Sequence, residues 1–93
     1  MHRDLKPENL MFMSKNNINS LKIVDFGLAA YENSPSFIMI IYSRFYFPKC
    51  GTPGYVAPEI ANLVDKTKTY SKACDIFSVG VIFFKMLIYK LFE

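Results

Sequence analysis

The apolar positions fall into blocks, two of them short and one long. Leu10-Met11-Phe12-Met13 and Leu21-Lys22-Ile23-Val24 have the length of strands. Between them, Ser14-Lys15-Asn16-Asn17-Ile18-Asn19-Ser20 is rich in residues that tolerate turn geometry, so the pattern predicts a β-hairpin with a long turn over residues 10–24. From Asp25 to Cys50 no period of 2 or 3.6 holds, and Pro35 and Pro48 interrupt the chain, which predicts loop. Gly51-Thr52-Pro53-Gly54 reads as a tight, punctuated segment. A short helix is expected from Ala57 to about Val64, with Pro58 in its first turn.

The long block begins at Ser71, a plausible N-cap, and Asp75 in the following turn suits the positive end of a helix dipole. From there a central helix over 71–90 is expected to be apolar nearly all round. Ile76, Phe77, Val79, Val81, Ile82, Phe83, Phe84, Met86, Leu87 and Ile88 cover more than one face. Such a helix either spans a membrane or lies buried at the centre of a larger domain. Ile76 to Leu91 contains Gly80 and Lys85 and falls short of the roughly 20 apolar residues a span needs. Phe37 to Phe47 is shorter still and carries Arg44. Central burial in a larger domain is the expectation, since 93 residues hold too little other material to surround such a helix; no membrane span is read, and a membrane-associated helical peptide is the weaker alternative.

Composition narrows the class. The chain of 93 residues is 52% hydrophobic and 16% aromatic, which argues against disorder and for one small unit built around buried surface. The net charge of +3 comes without a basic block, so nucleic acid is not an expected partner. Cys50 and Cys74 form neither a Cys-x-x-Cys motif nor a disulfide framework, which fits a reducing, cytoplasmic setting. No apolar stretch follows Met1 as in a secretory signal, and His2 stands where myristoylation needs Gly. Pro35 to Tyr42 is β-prone and uncharged in an expected loop. It reads as a genuine insert or as translated non-coding sequence, the second being favoured because an exposed run of this kind is an aggregation hazard.

Phosphoryl transfer to a hydroxyl needs a carboxylate to orient the acceptor and take its proton, oxygen ligands for a divalent cation, and a positive group to meet the developing charge. His2-Arg3-Asp4-Leu5-Lys6-Pro7-Glu8-Asn9 carries such a set within eight residues, and Asp25-Phe26-Gly27 follows the expected hairpin. Asp-Phe-Gly alone is ordinarily a turn, Ala-Pro-Glu alone says less, and a lone His2 is more often packed than catalytic. The joint order is what matters: the catalytic-loop pattern, a hairpin, Asp25-Phe26-Gly27, Ala57-Pro58-Glu59 and an apolar helix. In that order the chain resembles the protein kinase family, serine/threonine type. The implied fold class is α+β: part of a kinase C-lobe, with catalytic loop 1–9, hairpin 10–24, activation segment 25–59 and the central helix, and without an N-lobe.

The resemblance implies a serine/threonine kinase that moves the ATP γ-phosphate to a protein with a Ser/Thr acceptor, using ATP and Mg²⁺ as cofactors. Asp4 resembles the catalytic base, and Lys6 the lysine that contacts the γ-phosphate. Asn9 and Asp25 resemble the Mg²⁺ ligands, as suits hard oxygen donors, and Met11 belongs to the column under the adenine ring with Ile82 and Met86. Gly51 and Thr52 resemble the loop that seats the substrate, with Thr52 hydrogen-bonding Asp4 and Lys6. His2, Arg3, Phe26, Gly27, Glu59 and Asp75 have structural counterparts: His2 and Phe26 in a column anchored on Asp75, and Gly27 permitting a sharp turn after Asp25. The Cys50–Glu59 run and the long hairpin turn resemble the calcium/calmodulin-dependent kinases, which implies calmodulin-type regulation in a parent protein.

Departures from the family are as specific as the matches. The 93 residues hold no glycine-rich phosphate loop, no strand lysine with its glutamate and no hinge strand. Met1 directly before His2 suggests a start at an internal methionine of a longer protein. Glu59 lacks the arginine that relatives supply further on, so it is expected to stay solvated. The activation segment spans 35 residues, at the long end for the family. Pro48 stands where many relatives carry an activating phosphothreonine, which deprives Arg3 of its usual phosphate partner; Ser34, Ser36 and Ser43 do not match that place. The alternative to the enzyme is a non-catalytic kinase remnant acting at most as an interaction module.

Overall fold

The computed structural model describes residues 1–32, 49–64 and 70–92. Pro35–Tyr42, Ser34, Ser36, Ser43 and Pro48 lie outside the described residues. Within them the chain is a small α+β unit with a two-stranded antiparallel sheet and two helices. Strand β1 is Leu10–Phe12 and strand β2 is Leu21–Ile23, paired Leu10 with Ile23, Met11 with Lys22 and Phe12 with Leu21. Hydrogen bonds from Met13 N to Ser20 O and from Val24 N to Asn9 O extend the pairing at both ends.

Both strands are largely exposed, so apolar burial is not what closes the hairpin. The turn closes on Ser20, which is buried. Its Oγ donates to Asn17 O at 2.6 Å and accepts from Ser14 N at 3.1 Å. Asn17 in turn caps a single 3-10 turn, Ile18–Ser20, by accepting from Asn19 N at 3.0 Å.

Helix α1, Pro58–Ala61, is shorter than the pattern predicts. Pro58 opens it at no cost in hydrogen bonds, because a first-turn N–H has no partner inside a helix. It ends where Asn62, as C-cap, leaves helical geometry at φ −97° and ψ 13°. Glu59 on this helix is exposed.

Helix α2 is Ala73–Phe92, so it starts later and ends later than the expected 71–90. Ser71 stands one position before the N-cap; its Oγ accepts from Ala73 N at 3.2 Å. The core lies between α1 and the first turn of α2, where Ala57, Ile60, Tyr70 and Cys74 pack together with Val56, Leu63 and Ala30 against them. Burial, and then the nearby carboxylates of Asp75 and Glu59, push the Cys74 thiol up to about 11.

As expected of a chain too short to surround it, the apolar helix is not buried all round. On α2 only Cys74, Ser78 and Ile82 are buried, a single stripe at spacing i, i+4, i+8. Phe83, Phe84, Met86, Leu87, Tyr89, Leu91 and Phe92 are exposed. Beyond Ile82, Lys85 Nζ donates to Tyr55 Oη at 3.1 Å and lies 4.2 Å from that ring's centroid. Among the described residues no helix is long and apolar enough to cross a membrane.

Candidate active site

The first turn of α2 organises the loop that holds the site. Asp75 sits in that turn, where the helix dipole favours a carboxylate. Its two oxygens accept from the backbone of consecutive residues, His2 N at 2.7 Å and Arg3 N at 2.9 Å. This clasp holds Arg3 at φ +73°, a left-handed conformation that is unfavourable for a residue with a Cβ. The Arg3 side chain is buried, with Nε donating to Leu28 O at 2.6 Å and a terminal nitrogen donating to Tyr70 Oη at 3.0 Å.

His2 is the second fixed point. Val24 O can only accept, so His2 Nε2 donates to it at 2.9 Å, and Nδ1 then accepts from Asp4 N at 3.1 Å. The ring also meets Phe26 edge-on, with centroids 5.0 Å apart. One buried imidazole thus links the end of the hairpin to the residue whose carboxylate faces the site.

Around Asp4 three side chains converge. Thr52 Oγ1 donates to Asp4 Oδ1 at 2.6 Å, and Lys6 Nζ donates to the same Thr52 oxygen at 3.0 Å. Lys6 Nζ lies 3.8 Å from Asp4 Oδ2. Asn9, buried at the end of a 3-10 turn that Pro7 opens, donates from Nδ2 to Asp4 O at 2.8 Å and reaches Asp4 Oδ2 at 3.5 Å. The Thr52 hydroxyl, 48 residues from Asp4 in sequence, therefore accepts from the ammonium and donates to the carboxylate.

Gly51 lets Thr52 approach. Its φ is +111°, and a Cβ there would stand 2.8 Å from Val56 Cγ2 and 3.0 Å from Arg3 O. Ser78 on α2 donates to Tyr55 O at 2.7 Å, so the same helix face that clasps the His2–Arg3 backbone through Asp75 also anchors the Gly51–Tyr55 loop.

Asp25 and Met11 stand apart from this cluster. Asp25 is exposed at φ +61°, with Oδ1 accepting from Gly27 N at 3.2 Å. The turn after Asp25 falls on Gly27 and Leu28, closed by Ala29 N donating to Phe26 O at 3.0 Å, while the left-handed backbone falls on Asp25. What Gly27 provides is room, since a Cβ there would meet Asp25 Oδ1 at 3.1 Å. Met11 is exposed on β1, Met86 is exposed on α2, and Ile82 is buried.

The match to known proteins is extensive. The Protein kinase domain family matches residues 1–92. The chain belongs to the protein kinase family. It is 52% identical over 87 residues to the probable serine/threonine-protein kinase 2 of Plasmodium falciparum (isolate K1 / Thailand), covering 94% of this chain and 14% of that protein. It is 43% identical over 86 residues to calcium-dependent protein kinase 3 of Plasmodium berghei (strain Anka), 92% of this chain and 13% of that one. To the calcium/calmodulin-dependent protein kinase type 1 of Caenorhabditis elegans it is 41% identical over 87 residues, 94% of this chain and 21% of the relative. The kinase sequence thus spans only 13% to 21% of the length of these relatives. No solved structure matches it significantly.

The family implies a divalent cation, and the donor set present is compatible with one. Asn9 commits its Nδ2 to Asp4, which leaves the amide oxygen as its free donor, and exposed Asp25 adds a carboxylate. Among the described residues no group of three or more His, Cys, Asp or Glu gathers. An amide oxygen and a carboxylate are hard donors of the kind that hold Mg²⁺ together with substrate phosphates.

Sequence reasoning passes over Tyr70 and the Leu28 carbonyl, and it matches Ser78 to the family's D-x-W-S-x-G helix start without giving it a partner. Tyr70 carried a faint signal, a polar aromatic just before the Ser71 cap. A backbone carbonyl carries none.

Proposed function

We propose that these residues form the catalytic part of a protein serine/threonine kinase C-lobe that transfers the ATP γ-phosphate to a Ser or Thr hydroxyl of a protein. The observation that supports this best is the Thr52 hydroxyl held between Lys6 and Asp4 at 3.0 and 2.6 Å. It keeps a carboxylate and an ammonium side by side without letting them pair at full contact.

Asp4 orients the acceptor hydroxyl and takes its proton as the oxygen–phosphorus bond forms and the bond to the departing diphosphate breaks. Lys6 meets the charge on the transferred group, and the backbone clasp of Asp75 keeps Asp4 from drifting. Asn9 and Asp25 would hold Mg²⁺, which when bound neutralises phosphate charge. Gly51 and Thr52 would seat the acceptor segment, and Met11 would lie against the nucleotide base. The names of the relatives suggest calcium-linked regulation in a longer protein. A second reading, a kinase-derived interaction module without catalysis, is favoured by the exposed apolar side chains of α2.

The test uses a rebuilt kinase domain, in which the 93 residues replace their counterpart in the Plasmodium falciparum relative. With Mg²⁺ and ATP it is expected to phosphorylate a basic Ser/Thr peptide, and Asp25→Ala is expected to abolish transfer. Near-normal turnover of that variant at saturating Mg²⁺ would remove Asp25 from the metal site.

A further inference from the structure

Tyr70 lies outside every motif, yet its hydroxyl meets two of the segments that build the site. The residue is only 6% exposed and packs in the core with Ala57, Ile60 and Cys74. Its Oη accepts from the Arg3 guanidinium at 3.0 Å and lies 3.7 Å from Cys50 Sγ. Burial first, and then the hydrogen bond to Cys50, push its ionisation far above the usual tyrosine range. The hydroxyl therefore keeps its proton, and it can accept from Arg3 while donating to the Cys50 sulfur.

Arg3 directly precedes Asp4, and Cys50 lies two residues before Thr52, whose own hydroxyl donates to Asp4 at 2.6 Å. Side chains and backbone thus close a ring: Asp4, Arg3, Tyr70, Cys50, Gly51, Thr52 and back to Asp4. Within it Arg3 holds its left-handed φ of +73°, a strained state that persists only where surrounding contacts over-determine it. Its guanidinium is held on one edge by Leu28 O and on another by Tyr70 Oη.

We propose that Tyr70 is a positioning residue for phosphoryl transfer, its hydroxyl holding Arg3 and the Cys50 segment so that Asp4 and Thr52 stay in register. The inference rests on the kinase reading above. It differs from a packing role, because the aromatic ring alone would fill the core equally well as phenylalanine.

In the rebuilt kinase domain, kcat and KM for ATP and for peptide are measured for Tyr70→Phe, Arg3→Ala and the double variant. Tyr70→Phe is expected to lower kcat about tenfold, the size of losing one hydrogen bond to a charged group, with KM for ATP changed by less than about twofold. The double variant is expected to be no worse than Arg3→Ala, because the two side chains act through one another. A kcat for Tyr70→Phe at the level of the unsubstituted domain, or losses that multiply in the double variant, would overturn the positioning role. Tyr70→Phe alone decides the matter if Arg3→Ala does not fold. Absence of transfer by the unsubstituted domain would overturn the kinase reading and this role with it. Transfer that survives Tyr70→Phe undiminished removes this role only.

Discussion

Among the described residues three with side chains adopt left-handed backbone, and two of them, Arg3 and Asp25, belong to the segments around the site. Each is held by a carboxylate hydrogen bond: Asp75 grips Arg3 N, and Asp25 grips Gly27 N. The motif letters announce these residues but not their strain. Gly27 shows the difference, since it takes its readable place in the Phe26–Ala29 turn without a positive φ, while the strained backbone falls on Asp25. Gly51 is the opposite case, a glycine that needs both its φ of +111° and its missing Cβ. Gly51→Ala should destabilise the rebuilt domain by about 1–3 kcal/mol. The thermal midpoint should fall by several degrees, at about 2–4 °C per kcal/mol for a domain of 150–250 residues. A midpoint unchanged within about a degree would show that Val56 and Arg3 yield without cost.

At the scale of elements, the hairpin and α2 were legible for different reasons. Two short apolar runs separated by turn-formers are enough to predict a hairpin, but its stability cannot come from its exposed strands. It comes from the ladder and from Ser20, whose hydroxyl serves Asn17 O and Ser14 N together. Ser20→Ala leaves both groups without that partner, at a cost of about 1–3 kcal/mol. In the rebuilt domain this should speed hydrogen exchange at Ser14 and along β1 while leaving α2 amides unchanged. Equal exchange in the two proteins would mean that the turn holds without its hydroxyl. For α2 the apolar run fixes the helix, while its useful side chains are the polar ones, Asp75 and Ser78. Polar positions in an apolar helix were the available signal; Asp75 was read as an anchor, and Ser78 only as a letter of the D-x-W-S-x-G match. Tyr70 escaped because its partners, Arg3 and Cys50, are distant in sequence and belong to different elements.

For the whole molecule, periodicity predicts a helix in need of partners on all sides, and the fold supplies them on one stripe only. Burying one large apolar side chain contributes roughly 1.5–3 kcal/mol, whereas whole domains are stable by only about 5–15 kcal/mol. With Phe83, Phe84, Met86, Leu87 and their neighbours exposed, the 93-residue polypeptide by itself is expected to collapse loosely and bind hydrophobic dyes. It should show helical circular dichroism without a sharp thermal transition. A dispersed NMR spectrum and one cooperative melt from a soluble monomer would contradict this and make the chain a domain in its own right. Chemistry was more legible than packing, because a phosphoryl-transfer site needs a few residue types at short spacing. A core instead needs distant segments that no local pattern names. The most direct test of the site is the kcat of the rebuilt kinase domain with Asp4 replaced by Asn, an isosteric change that removes the proton acceptor and keeps the Asn9 contact to the backbone. A positioned general base contributes about 10²- to 10⁴-fold, so a loss of that size is expected with little change in KM for ATP. An Asp4→Asn domain that turns over within about threefold of the unsubstituted protein would show that the carboxylate held by Thr52 is not the group that takes the proton.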